Sequence, residues 1–441
     1  MKRRLYSLLT AALLGSVTGL SAQEMPADTL APSPRGRQQV KEGWSFIPLP
    51  DLGYSSDNGL NLGAFVNIYY YGRGEDNIFP NRHHHISIAG CYTTKGAWNT
   101  HAYFDTKKLI PGVRMTLAAT WKQSIANNFY GYNGVASPYH PELDLNNGHA
   151  EAFYTTRRSL GRAVANFQGD ITGGLRWMAG STFRYYGFEP YRDSKTGVVE
   201  NTLYSHYRNA GLIRADEAAG GMLLELHGGI IFDTRDVEEA PVRGMYGELY
   251  FLSNVDLLSG RYHHGKLVAH WRHFIPLAGE KLILAYHLGY QGLIWGEEPF
   301  YMLQDISTLF NINCESEGLG SRYTMRGTMY DRILADGYAW ANLELRIKIW
   351  QFNLFRQHFD LYMNPFFDAG AITDPFRLEQ QMVSTDEFIF SGKTAYVHGS
   401  AGAGVKLHIN SSLILSAEVA RAFNPALIHG VGFSFTTNYI F

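Results

Sequence analysis

The final segment of the chain alternates. Val431, Phe433, Phe435, Thr437, Tyr439 and Phe441 fall on one side of an extended backbone, and Gly432, Ser434, Thr436 and Asn438 on the other. Side chains of a strand point alternately to its two faces, so this pattern predicts a strand with one apolar and one polar face. Ala339 to Ile349 repeats it: Ala339, Ala341, Leu343, Leu345, Ile347 and Ile349 share one face, and Asn342, Glu344, Arg346 and Lys348 the other. Three consecutive charges on the polar face suit a water-filled interior better than an open sheet. In His358 to Ala369, Phe359, Leu361, Met363, Phe367 and Ala369 oppose His358, Asp360, Asn364 and Asp368.

Segments of this kind predict sixteen strands, at 47–55, 58–71, 82–94, 98–109, 112–124, 147–160, 171–187, 222–234, 243–255, 260–275, 280–294, 338–350, 357–370, 396–408, 411–421 and 431–441. The connections alternate in length. Those at 125–146, 188–221, 295–337 and 371–395 are long, whereas Ile110-Pro111, Pro276 to Glu280 and Ile409-Asn410 are short. Long external loops, short periplasmic turns and an even strand number describe a bacterial outer-membrane barrel. Tyr69 to Tyr71 and Tyr439, near strand ends, fit aromatic girdles at the two interfaces.

Composition narrows the alternatives. There are 28 Tyr, 26 Phe and 46 Gly, and the charged fraction of 18% is low for a soluble surface. Past the N-terminal region no stretch is apolar enough to cross a membrane as a helix. Only a closed β-barrel then satisfies the backbone in lipid. The expected fold is therefore all-β, a transmembrane antiparallel β-barrel of about 16 strands occupying residues 43–441. Ahead of it, Lys2, Arg3 and Arg4, the apolar run Leu5 to Leu20 and the small pair Ser21-Ala22 make residues 1–22 an export signal peptide. Residues 23–42, with Pro26, Pro32, Pro34, Arg35 and Arg37, form a flexible periplasmic linker. The net charge of −2 gives no case for nucleic acid.

Candidate chemistry is sparse. Cys91 and Cys314 are distant in sequence, and whether or not they pair, two thiols do not make a disulfide framework. His83, His84 and His85 begin a predicted strand; only His83 and His85 share a face, so a polar strand start is the reading and no metal is assigned. His263 and His264 are read the same way. No Gly-x-Ser-x-Gly elbow or readable triad is present, so the chain is expected to be no enzyme and to use no cofactor.

Three constellations go beyond a generic barrel. Phe232-Asp233-Thr234-Arg235-Asp236, with Pro241, Arg243, Gly244 and Tyr246, reads as a hydrogen-bonded periplasmic turn. Met325-Arg326-Gly327, preceded by Gly318 and Gly320, lies in the longest loop. That loop is either mobile or folded inward, and an inward Arg326 needs a carboxylate partner, because an unpaired buried charge is costly. Phe366-Phe367-Asp368-Ala369-Gly370 puts Asp368 on the polar face, with Glu344 and Asp360 as competing acceptors.

Together these motifs resemble the BamA/TamA superfamily, the bacterial surface antigen family, well over 222–441. The resemblance is weaker at Pro50 to Gly63 and Phe129-Tyr130-Gly131-Tyr132-Asn133. It implies a sixteen-stranded barrel plugged by the Arg326–Gly327 loop, which contacts Asp368; Glu344 stays open as the alternative acceptor for Arg326. It also implies a weak seam between the first and last strands, marked by Gly432, Tyr439 and Phe441, the terminal aromatic doubling as an insertion signal. Members usually carry POTRA domains before the barrel. With only residues 23–42 in that place, the chain reads as a barrel-only member. The implied function is insertion or translocation of proteins or lipids at the outer membrane. The implied partners are outer-membrane lipid, client outer-membrane or secreted proteins, and a periplasmic accessory protein. A passive pore, or a barrel partner of a separately encoded periplasmic protein, is the alternative.

Overall fold

A computed structural model describes residues 42–55, 59–73, 82–94, 96–145, 152–193, 197–238, 240–309, 318–320, 323–354, 357–376, 386–391, 395–409, 413–428, 430–437 and 441. The proposed signal peptide, most of the linker, Cys314 and Tyr439 lie outside these residues. Sixteen strands form one antiparallel sheet in sequence order. They are β1 (Trp44–Ser55), β2 (Gly59–Tyr70), β3 (His84–Thr93), β4 (Trp98–Ile110), β5 (Val113–Asn128), β6 (Thr155–Thr172), β7 (Leu175–Pro190) and β8 (Gly220–Asp233). There follow β9 (Gly244–Asp256), β10 (His264–Pro276), β11 (Leu282–Gly296), β12 (Gly337–Leu354), β13 (Gln357–Asp374), β14 (Val397–Ile409), β15 (Leu413–Ala422) and β16 (Gly432–Thr437). The sheet curls until Cα atoms of β1 and β16 come within 8 Å. No ladder joins these two edges among the described residues.

Alternation sorts the side chains as the sequence requires. On β12, Leu343 and Ile349 are about half exposed on the outside, whereas Asn342, Glu344 and Arg346 are buried inside. On β13, Met363 and Phe367 face out while Asn364 and Asp368 have no exposure at all. The outer wall is thus apolar and the interior carries the charge, the inverse of a soluble sandwich.

The largest departures from expectation fall at β6, β7 and the final strand. The sixth and seventh strands, expected at 147–160 and 171–187, run Thr155–Thr172 and Leu175–Pro190. The turn falls at Gly173-Gly174, where both residues have positive φ (53° and 86°), a conformation that favours glycine. Residues 161–170, expected to lie between two strands, run through the middle of β6, where Asn166 is buried in the lumen. The final strand, expected at 431–441, is a ladder over Gly432–Thr437 among the described residues, and 438–440 lie outside them. Phe433 and Phe435 are exposed outside. Phe441 does not share their face: it packs inside against Phe274 and Ala285. Burial against Phe274 and Ala285 removes its ring from water, which favours this position.

The long connections fold over one end of the barrel. Phe129, Tyr130, Tyr132, Phe153, Tyr154, Tyr204, Tyr207, Phe300 and Tyr301 share one buried cluster drawn from three of them. That cluster, with a short helix α1 (Leu203–Asn209), forms a cap.

Candidate functional site

The connection from β11 to β12 enters the barrel. Its first half lines one wall. Arg184 of β7 meets Asp305 at 2.8 Å. Gln291 of β11 donates to the Asp305 carbonyl at 2.7 Å. Glu248 of β9 accepts from the Leu309 amide at 2.7 Å and from Thr308 Oγ1 at 2.8 Å. The second half crosses to β12, β13 and β15, where it presents Arg326.

Arg326 is buried and its donors are matched to acceptors. Its Nε and Nη2 donate to the two Asp368 oxygens at 2.8 and 2.9 Å, and its amide donates to Asp368 Oδ2 at 3.0 Å. Nη1 reaches Glu344 at 2.9 Å and Glu418 at 3.3 Å. The guanidinium lies 3.4 Å above the centre of the Phe366 ring. A planar fork on a carboxylate with an aromatic beneath it uses every property that distinguishes Arg from Lys. Asn342 ties Asp368 to the loop, donating to Asp368 Oδ1 at 2.9 Å and to the Thr324 carbonyl at 2.7 Å.

Gly327 completes the seat. Its φ is +79°, and a Cβ there would stand 2.8 Å from the Ala420 carbonyl carbon and the Arg421 amide nitrogen. A Cβ on Gly432 would in turn stand 3.2 Å from the Gly327 Cα. Two glycines therefore let the loop rest against the backbone of β15 and β16, the last pair before the seam.

Of the sequence candidates, the structure brings together Arg326, Gly327, Asp368, Glu344 and Gly432. Asp360 stands apart: it meets Lys348 at 3.2 Å and His358 at 3.3 Å, toward the other end of β13. Phe441 lies inside with Phe274 and Ala285, and Arg346 donates to its main-chain oxygen at 2.9 Å. Arg346 also donates to Glu344 Oε1 at 3.0 Å, so Glu344 stands between Arg326 and the Phe441 anchor. Lys406, which donates to Glu418 at 2.8 Å, completes the set. Glu418 and Lys406 escaped the sequence reading, although Leu415-Ser416-Ala417-Glu418-Val419 alternates and places Glu418 inward.

At the opposite end, Arg235 forks onto Asp233 at 2.9 Å through both Nε and Nη2 and lies over the Tyr246 ring. Asp236 Oδ1 accepts from the Val237 and Val242 amides at 3.0 and 3.1 Å, which closes the turn. Gly244 has φ +102°, and a Cβ there would meet the Thr234 carbonyl at 2.3 Å. The Arg243 side chain is exposed, and its backbone alone joins the turn: its carbonyl accepts from the Asp236 amide and its amide donates to Asp236 Oδ1 at 3.4 Å. Arg114 of β5 reaches across to Glu238 of this turn at 2.7 Å. His84 and His85 lie on β3 beside Thr106 and Asn67 (2.8 and 3.0 Å), and His264 beside Asn254. No metal-holding cluster occurs among the described residues.

The cap is clamped by Arg332, which sequence reading missed. Buried beside Tyr130, it donates to the carbonyls of Gly134 (2.7 Å), Ser137 (3.0 Å) and Ala426 (3.0 Å). Asn133 and Asp331, the residues before Gly134 and Arg332, are the two non-glycines with positive φ among the described residues. Asn133 also exchanges side-chain bonds with the Phe376 amide (2.7 Å) and carbonyl (3.1 Å). Glu217, in the same cap, accepts from the Phe300 amide at 2.7 Å. Burial raises its carboxyl from near 4.5 to about 7. Glu298, beside Lys266, is raised to about 7 by burial as well. A raised carboxyl binds more protons folded than unfolded, so between about 4.5 and 7 cap stability falls as pH rises. The melting temperature is expected to drop from pH 5.5 to 8, with a shallower drop in Glu217→Gln. Identical slopes in the two proteins would remove Glu217 from the account.

The profile of the Omp85 superfamily domain matches residues 185–437, more than half of the chain. The chain belongs to the Omp85 superfamily. Members of this superfamily are non-enzymatic transport and assembly barrels of the bacterial outer membrane. The barrel is similar to BamA from Haemophilus ducreyi lacking POTRA domains 1-3, at 14% identity and a TM-score of 0.54, over 90% of this chain and 70% of that one. It is similar to CdiB from Escherichia coli at 10% identity and a TM-score of 0.54, over 90% of this chain and 62% of that one. This Omp85 chain thus spans less than two thirds of CdiB, and at such identities the likeness is one of fold. No curated protein matches it in sequence. The kinship expected from the Arg326 and Asp368 motifs, and the sixteen-stranded barrel, therefore hold.

Proposed function

We propose that this barrel inserts or translocates polypeptides at the outer membrane, using the seam between β1 and β16 as its working surface. The observation that carries the reading is the seat of the inward loop. Arg326 locks it to Asp368, Glu344 and Glu418, and Gly327 lays it on the β15–β16 pair. Release of the lock frees the strand that borders the seam. The capped mouth and the loop-filled interior argue against a steady pore. Residues 1–22 act as the removed export signal in this reading, residues 23–42 as a periplasmic tether, and lipid and client polypeptides are the partners.

Depletion of the protein, followed by quantitative comparison of outer-membrane proteins, secreted proteins and lipids, tests the proposal. A selective fall in one class names the client. Unchanged levels in all three refute it.

A further inference from the structure

The two edges of the sheet are unlike. In an antiparallel pair each residue turns its N–H and C=O to the same side, and successive residues alternate. The Tyr71 amide donates to the Gly43 carbonyl at 2.9 Å, and the β1–β2 register from Trp44 to Ser55 is unbroken. Odd-numbered residues of β1 therefore face β2, and even-numbered ones face the seam. The carbonyls of Leu60 and Tyr70 accept from Thr94 and His83 on the β3 side (2.9 and 2.8 Å), which gives β2 the matching parity. Pro48 and Pro50, opposite Val66 and Ala64, thus turn their ring nitrogens to the seam. Proline has no N–H to offer. The free edge keeps amides at Trp44, Phe46, Leu52 and Tyr54. Between Phe46 and Leu52 it has none, a gap of about 20 Å at the rise of a strand.

The other edge lacks no donor over its described residues, Gly432–Thr437. The Phe423 amide donates to the Gly399 carbonyl at 2.9 Å, in step with the β14–β15 register. Even-numbered residues of β15 therefore face β16, and Gly432, Ser434 and Thr436 face back to them. Phe433, Phe435 and Thr437 turn both amide and carbonyl to the seam. In hydrocarbon such groups find no water, so an extended backbone is the occupant that satisfies them. The β1 edge fails to do so wherever Pro48 or Pro50 stands opposite, since it offers carbonyls where donors are needed.

We infer that strand addition at the seam is one-sided: an extended polypeptide adds to β16 through Phe433, Phe435 and Thr437, and β1 is a blocked edge. This rests on the seam being the working surface, as proposed above. The occupant is a strand of alternating pattern. Its apolar residues lie outside beside Phe433 and Phe435, which are exposed there, and its small or polar residues face the lumen. Both prolines are themselves exposed on the outer face, so they fill no interior space that would otherwise explain them.

Disulfide trapping tests the inference. The full chain with Cys91→Ser and Cys314→Ser is placed in phospholipid nanodiscs, carrying either Phe46→Cys on β1 or Phe433→Cys on β16. The probe is a synthetic copy of residues 430–438 in which Phe435→Cys supplies the thiol. Trapping at position 433 is expected to exceed that at position 46 by about fivefold or more, as main-chain pairing sets the attachment. Adding Pro48→Val and Pro50→Val restores two donors and is expected to raise trapping at position 46 about threefold. Equal yields at the two positions, no trapped peptide at either, or no effect of the restored donors overturns one-sided addition. The comparison of 46 with 433 needs no change in β1 prolines, so it stands even if the double variant fails to fold. A depletion phenotype without peptide trapping would keep the transport reading and discard the edge assignment; trapping without a phenotype would do the reverse.

Discussion

Arg326→Ala is expected to unseat the inward loop and to destabilise the barrel by about 3–5 kcal/mol, the usual cost of breaking a buried charge set from one side. The substitution removes donors from Asp368, Glu344 and Glu418 at once and leaves the three carboxylates facing one another with only Arg346 and Lys406 for balance. It also empties the space above Phe366. Arg326→Lys keeps the charge but loses the fork, so it is expected to fall between wild type and Ala. Asp368→Asn removes the main partner, and the double variant Arg326→Ala/Asp368→Asn is expected to cost less than the sum of the two, because they break one interaction. The measurement is protease cleavage of the segment around Gly318 to Thr328 in intact cells, together with heat-modifiable migration of the barrel. Cleavage unchanged from wild type in Arg326→Ala would mean that the network does not hold the loop.

The second large effect is expected at Arg332. Its guanidinium donates to carbonyls of the 129–154 connection and of the turn before β16 while sitting in the loop after β11, so one side chain joins three connections. Each stranded buried acceptor costs on the order of 1–3 kcal/mol. Arg332→Ala should therefore open the cap while the wall stands, since no strand depends on the clamp. In planar bilayers the wild type is expected to give small, flickering currents. Arg332→Ala should lengthen them, and deletion of residues 315–330 should raise their amplitude, because the cap and the loop block the path in series. Traces from Arg332→Ala that match wild type at equal melting temperature would show that the mouth is closed by other contacts.

Where alternation was strict, the fold was legible. Ala339 to Ile349 and His358 to Ala369 told inside from outside residue by residue, since a barrel wall buries only one face. β6 was not, because polar residues such as Asn166 turn inward in the segment 161–170, and a polar interior hides the contrast on which alternation depends. The lock was half legible. Arg326, Asp368 and Glu344 sit in readable motifs, and Glu418 sits in an alternating strand whose message was simply brief. Arg332 was invisible for a physical reason: its acceptors are backbone carbonyls, and any residue can provide those. The inward position of Phe441 was hidden too. Period-two patterning describes a strand, and it does not tell whether a terminal residue keeps to the face that the pattern assigns it.

The lock gathers three cationic side chains, Arg326, Arg346 and Lys406, and three anionic ones, Asp368, Glu344 and Glu418, all buried. These six side-chain charges sum to zero. Such a set cannot drift one member at a time, for every single loss strands a charge in the interior. Descendants of this barrel should therefore change it in matched steps, an arginine and a carboxylate vanishing together or not at all. In an alignment of relatives the six positions would then read as one character rather than six, inherited as a unit even where the surrounding wall has been rewritten.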